Sequence, residues 1–146
     1  MSKLYDLADL RMVLKKLRSK DGCPWDREQT NKSIKANLIE ECYEVLEAID
    51  NNDDDLLIEE LGDVLFQVVF HSEIAEEEQR FSLNQVIDGV CNKMITRHPK
   101  VFLTNRRDEK VEWTDIKNKE KGYINKYLEL KHIGKNLPAL FRCEKV

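Results

Sequence analysis

Hydrophobic positions along this chain recur at three- and four-residue steps, the period of helices with one buried face. Leu7, Leu10, Leu14 and Leu17 mark a first amphipathic helix that the Lys20-Asp21-Gly22 turn signal should stop. Gly22-Cys23-Pro24-Trp25-Asp26 then reads as a loop. From about Asn31 to Asn51 the pattern predicts a second helix, with Ile34, Leu38, Cys42, Val45 and Ile49 on one face and Glu40, Glu41, Glu44 and Glu47 filling much of the other. After a polar turn over 51–55, Leu56 to about Glu78 predicts a third helix. Its middle, Leu61 to Ala75, is apolar nearly all round, so it belongs inside a bundle. Ser82 with Gln85 forms a capping box, and Phe81 with Val86 has the spacing of a hydrophobic staple. A fourth helix therefore starts there and ends at His98-Pro99. Asn105 to Lys110 is a charged loop, and a fifth helix covers Asp115 to Leu130 despite Gly122. The expectation is an all-α helical bundle of about five helices, forming a single domain over residues 1–146. Leu137 to Val146 opens like one more helix cut short, as in a fragment of a longer protein.

Composition agrees with helices: 41% hydrophobic and 36% charged residues, with five glycines and three prolines in 146 residues. A net charge of -4 gives no general reason to hold nucleic acid, so no stable nucleic-acid binding is expected. Lys117, Lys119, Lys121, Lys126, Lys131 and Lys135 make the C-terminal stretch locally basic and read as a solvated helix face. Cys23, Cys42, Cys91 and Cys143 contain no C-x-x-C pair, which argues against a zinc site and leaves ordinary reduced thiols. The N-terminus lacks a signal-peptide core and no apolar run reaches membrane-spanning length, so a cytoplasmic protein is expected.

The informative chemistry is a pair of acidic pairs on consecutive helices, Glu41 with Glu44 and Glu60 with Asp63, each at i, i+3 on one face. An antiparallel hairpin brings the pairs together, and carboxylates facing a cleft suit a hard cation such as Mg²⁺ that must also meet phosphate oxygens. Taken singly, each glutamate on the second helix reads as an ordinary solvated acid. Asp63 differs, because it lies among Leu61, Val64, Leu65 and Phe66, where a carboxylate needs a partner, either a basic side chain or a metal. Lys93 and Arg97, an i, i+4 cationic pair, suit the C-terminal dipole of their helix. Beside a metal-carboxylate cluster the same two could hold the oxygens of a polyphosphate. Trp25 and Trp113 could stack on a nucleobase or serve as packing anchors. His71, in the apolar helix, reads as a packed histidine.

Together, Gly22-Cys23-Pro24-Trp25-Asp26, Gln29-Thr30, Glu40-Glu41-x-x-Glu44, Glu60-Leu61-Gly62-Asp63, Lys93-x-x-x-Arg97-His98-Pro99-x-Val101-Phe102, Trp113-x-x-Ile-Lys and Leu137-Pro138-Ala139-Leu140-x-Arg142 resemble the MazG family in order and spacing. The resemblance implies the all-α NTP pyrophosphatase fold, a homodimer, and Mg²⁺-dependent hydrolysis of NTPs or dNTPs to monophosphate and pyrophosphate, with Mn²⁺ able to substitute. It implies Glu41, Glu44, Glu60 and Asp63 as the metal ligands and catalytic carboxylates, and Glu40 as their support. Lys93, Arg97, Trp113 and Trp25 would be the substrate contacts. The implied mechanism is attack of an activated water on the α-phosphorus, one carboxylate taking the proton and the cations bracing the triphosphate; the identity of that carboxylate stays open. Many bacterial members carry two such domains in tandem, and this chain has one. The competing reading is a noncatalytic helical interaction or regulatory module that binds nucleotide or a partner protein. A di-iron bundle is disfavoured because Glu-x-x-His motifs are missing near His71, His98 and His132.

Overall fold

The structure, a computed structural model, describes residues 4–102, 113–122, 131, 133–135 and 137–143. Every regular element among these residues is a helix: α1 (Leu7–Arg18), α2 (Pro24–Glu28), α3 (Lys35–Asn51), α4 (Asp54–Glu77), α5 (Leu83–Arg97), α6 (Pro99–Phe102), α7 (Trp113–Lys121) and α8 (Ala139–Cys143). The longer α1, α3, α4, α5 and α7 answer to the five expected helices. The expected charged loop over Asn105 to Lys110 lies outside the described residues. Compactness divides the chain into two units, residues 1–88 and 89–146.

In the first unit, local chemistry sets each helix end. Asp6 caps α1 by accepting from the Asp9 amide at 2.9 Å, while the Asp9 carboxylate accepts from the Asp6 amide at 3.1 Å. After α1 the chain folds back so tightly that a Cβ on Gly22 would stand 2.1 Å from the Leu17 carbonyl oxygen, so only glycine fits. The motif read as a loop is in part a short helix, because Pro24 at its first position is preset for α-geometry and has no amide to leave unpaired. Gln29 and Thr30 build the next turn: the Ser33 hydroxyl donates to Gln29 Oε1 at 2.7 Å and accepts from the Thr30 amide at 2.9 Å. This turn delays α3 to Lys35. Asn52, in the left-handed region at φ 53°, closes α3, and Asp53 caps α4 by accepting from the Leu56 amide at 3.0 Å. The anticipated box at α5 is formed, with Gln85 Oε1 accepting from the Ser82 amide at 2.9 Å.

Helix α4 packs against both α3 and α1. Leu14, Ile34, Val69, Phe70, Ile74 and Leu83 form the core, with Leu10 and Phe66 packed onto it. At this end of α4, ion pairs tie it to α1: Glu73 meets Lys15 at 3.7 Å and Arg11 at 3.8 Å, and Arg18 meets Glu77 at 2.6 Å. Two sequence expectations shift here. The inward stripe running from Ile34 along α3 holds buried Ile34 and Ala48 with half-buried Leu38, Glu41 and Val45, whereas Cys42 and Ile49 are exposed. Helix α4 is not enclosed all round, since Ile58, Leu61, Leu65 and Val68 face outward.

In the second unit, α7 begins two residues before the expected Asp115 and stops at Lys121, where Gly122 turns the chain at φ 68°. The rest of the expected helix, residues 123–130, lies outside the described residues. The four cysteines are free thiols, as expected. No described helix is long and apolar enough to cross a membrane.

Candidate functional site

At about 100° per residue, Glu60, Asp63 and Gln67 fall within an arc of about 60° on α4, and Glu41 and Glu44 are similarly adjacent on α3. Packing of the two helices brings one carboxylate oxygen each from Glu41, Glu60 and Asp63 within 4.8 Å of one another. Glu44 lies near enough to raise the carboxyls of both Glu41 and Glu60. Three of the four acids read from the sequence as candidate ligands thus share one place on two helices, with Glu44 close by; Asp63, expected among apolar neighbours, is exposed, as is Glu44.

The site is electrostatically unfavourable by itself. Burial first, then the neighbouring Glu44 and Asp63, push the Glu41 carboxyl above its ordinary value; only the hydrogen bond from Gln67 works the other way. Glu60 is raised by burial, then by Glu44, Asp63 and Glu59. The Glu60 residue is only 8% exposed, and its Oε2 is buried with no hydrogen-bond partner. A buried, unpaired carboxylate oxygen facing other acids is costly unless a cation meets it. The ligand chemistry fits: Mg²⁺ takes oxygen donors, and Glu41, Glu60 and Asp63 offer three carboxylate oxygens within 4.8 Å of one another that could hold one such ion.

Glu40, the expected support, is exposed on the flank of α3 and lies outside this three-acid group. Trp25 is on α2 rather than in a loop and is 55% exposed. His71 is packed, as expected: Asn31 Nδ2 stands 2.9 Å from His71 Nδ1 and donates to its carbonyl at 2.8 Å, and burial lowers the ring's pKa. Its Nε2 is buried without a partner.

Lys93 and Arg97 lie at the end of α5, in the second unit. Arg97 is 6% exposed; its Nε donates to Glu120 at 2.8 Å and its guanidinium lies 5.1 Å from the centre of the Trp113 ring. Lys117 Nζ is 5.6 Å from the same ring. Lys117 therefore packs on an aromatic face instead of belonging to a wholly solvated run, and Trp113 has two cations over its ring. Sequence reasoning passed over two members of these clusters, Glu120 and Gln67. Their signals were spacing: Glu120 follows Lys117 by three residues and Trp113 by seven, and Gln67 is a polar residue four past Asp63 in an apolar helix.

Comparison with known proteins agrees with this geometry. Residues 29–102, spanning both acidic pairs and Lys93 with Arg97, match the model of the MazG nucleotide pyrophosphohydrolase domain. The chain is 46% identical over 138 residues to a Thermotoga maritima protein named nucleoside triphosphate pyrophosphohydrolase/pyrophosphatase MazG, covering 94% of this chain and 54% of that one. It is 41% identical over 142 residues to the Escherichia coli K12 nucleoside triphosphate pyrophosphohydrolase, covering 94% and 54%. An uncharacterized Bacillus subtilis protein, YabN, is 44% identical over 146 residues, covering 97% of this chain and 30% of its own length. The chain spans about half or less of the length of these three relatives.

Proposed function

The chain belongs to the MazG nucleotide pyrophosphohydrolase family, and from that premise we propose that it hydrolyses NTPs and dNTPs between the α and β phosphates, releasing monophosphate and pyrophosphate in nucleotide-pool house-cleaning. Glu41, Glu44, Glu60 and Asp63 hold Mg²⁺, with Mn²⁺ as a substitute, and Glu40 supports them from the flank. The observation carrying this reading is the buried, unpaired Glu60 oxygen within a three-carboxylate group spanning no more than 4.8 Å. When bound, the cation supplies charge neutralisation for the phosphates and acidifies water at neutral pH. One of the four carboxylates takes the proton of the attacking water. Lys93 and Arg97 brace phosphate oxygens and offset charge developing on the leaving pyrophosphate. Trp113 and Trp25 offer faces to the nucleoside.

A homodimer of single-domain chains, cytoplasmic and without stable nucleic-acid binding, completes the proposal. Supporting the dimer are outward apolar residues on neighbouring helices: Ile39, Tyr43 and Leu46 on α3 and Ile58, Leu61, Leu65 and Val68 on α4. The test is hydrolysis of an NTP and dNTP panel with Mg²⁺ or EDTA, with products identified. Metal-dependent monophosphate plus pyrophosphate is the expected result. Diphosphate plus phosphate would overturn the cleavage site, and no turnover would favour the binding-module reading.

A further inference from the structure

Gln67 is 7% exposed, on the side of α4 that carries Glu60 and Asp63. Its place in the helix period would suit an apolar side chain, as at Phe70 and Ile74 on the same side in the core. Instead it presents an amide to the acidic group, one turn from Asp63, where hydrogen bonding from it works to lower the Glu41 carboxyl. The direction of that bond follows from chemistry. An ionised carboxylate only accepts, so the Gln67 amide must turn its N–H toward Glu41; the opposite flip would set oxygen against oxygen. Gln67 Oε1 is then directed elsewhere, and it is buried with no hydrogen-bond partner. Leaving that oxygen unpaired is a cost the fold accepts in order to keep the donor at Glu41.

We propose that Gln67 is a positioning residue of the carboxylate site, donating its side-chain N–H to Glu41 and holding that carboxylate turned toward Glu60 and Asp63. This rests on the reading of the acidic group as a divalent-cation site. Glutamine suits the role because it restrains Glu41 without adding charge. A lysine or arginine there would cancel part of the negative charge that attracts the cation, and a glutamate would add repulsion. A methionine of similar length would fill the space and release Glu41 to rotate. Partners that orient metal ligands commonly change affinity by about 10–100-fold when removed.

The test measures Mn²⁺ dissociation constants by electron paramagnetic resonance on the 146-residue chain, for wild type, Gln67→Met, Glu41→Gln and the double variant. Melting in EDTA is followed in parallel. Gln67→Met is expected to weaken Mn²⁺ about 10–100-fold with its EDTA melt unchanged or raised, and to add little in the Glu41→Gln background, because its effect passes through Glu41. An unchanged Mn²⁺ constant in Gln67→Met, or the same loss in both backgrounds, would overturn the positioning role while leaving the metal site standing. Mn²⁺ binding indifferent to Glu41→Gln would overturn the metal reading and this inference with it. Gln67→Leu is run alongside; loss of a cooperative melt in both Gln67 variants would make the residue a core element and overturn the proposal.

Discussion

Replacing Glu60 by glutamine tests the site where its electrostatics and its proposed chemistry diverge. The side chain keeps its shape, loses its charge and can donate to an acidic neighbour, so repulsion with Glu44 and Asp63 is relieved. In EDTA the variant should melt at or above the wild-type temperature, the reverse of what removing a structural ion-pair partner does. With Mg²⁺ the order reverses. At a concentration one hundred times its dissociation constant, a ligand of the folded state alone contributes about 2.7 kcal/mol. For a chain of this length that raises the melting temperature by about 8–10 °C. The variant removes one of the group's three charges and replaces one Glu60 oxygen by an amide nitrogen, and if affinity falls about a hundredfold the same Mg²⁺ concentration contributes only about 0.4 kcal/mol, a shift of one or two degrees. Scanning calorimetry of both proteins in EDTA and in MgCl₂, with an NTP hydrolysis assay on the same samples, measures all of this. A full Mg²⁺ shift in Glu60→Gln, retained turnover, or an EDTA melt several degrees below wild type would each refute the reasoning.

The raised Glu41 and Glu60 carboxyls set a pH dependence with a definite sign. Between the ordinary glutamate value of 4.5 and their raised values the folded protein binds more protons than the unfolded chain, so in EDTA their contribution to stability falls as pH rises through that window. Mg²⁺ must displace those protons, so the melting difference between Mg²⁺ and EDTA should grow from pH 5 to pH 7.5; equal differences would contradict it. Arg97→Lys loses the planar group over Trp113 and the Nε donor to Glu120, and should raise KM for NTP at least about tenfold while leaving Mn²⁺ affinity unchanged. Steady-state kinetics with Mn²⁺ titration checks this, an unaltered KM being the adverse result. Leu65→Glu places a charge at a 44% exposed apolar position on the outward face of α4. It should shift sedimentation from dimer to monomer with little change in helicity, and a persistent dimer would locate the interface elsewhere.

The helices were legible in the sequence because their signals are local. The Ser82 and Gln85 box, the turn at Gly22 and the three- and four-residue rows each act within a turn or two of chain. The acidic pairs were legible for the same reason, since i, i+3 spacing alone sets Glu41 beside Glu44 and Glu60 beside Asp63. Which side of each helix turns inward was not local. Cys42 and Ile49 lie about 80° and 60° around α3 from Ile34, and Glu41 and Ala48 about 20° and 40° the other way. Hydrophobicity favours the first pair, yet the structure buries Ala48 and half-buries Glu41 while exposing both. Only packing against α4 decided that rotation, because a small alanine admits the close approach and a carboxylate can turn inward where it joins others. The same packing left Gln67 and the Glu60 oxygen buried and exposed the opposite side of α4. Sequence by itself determined the helices and supplied the acids; the tertiary structure decided which acids meet and which apolar faces stay exposed, because both depend on how one helix lies against another.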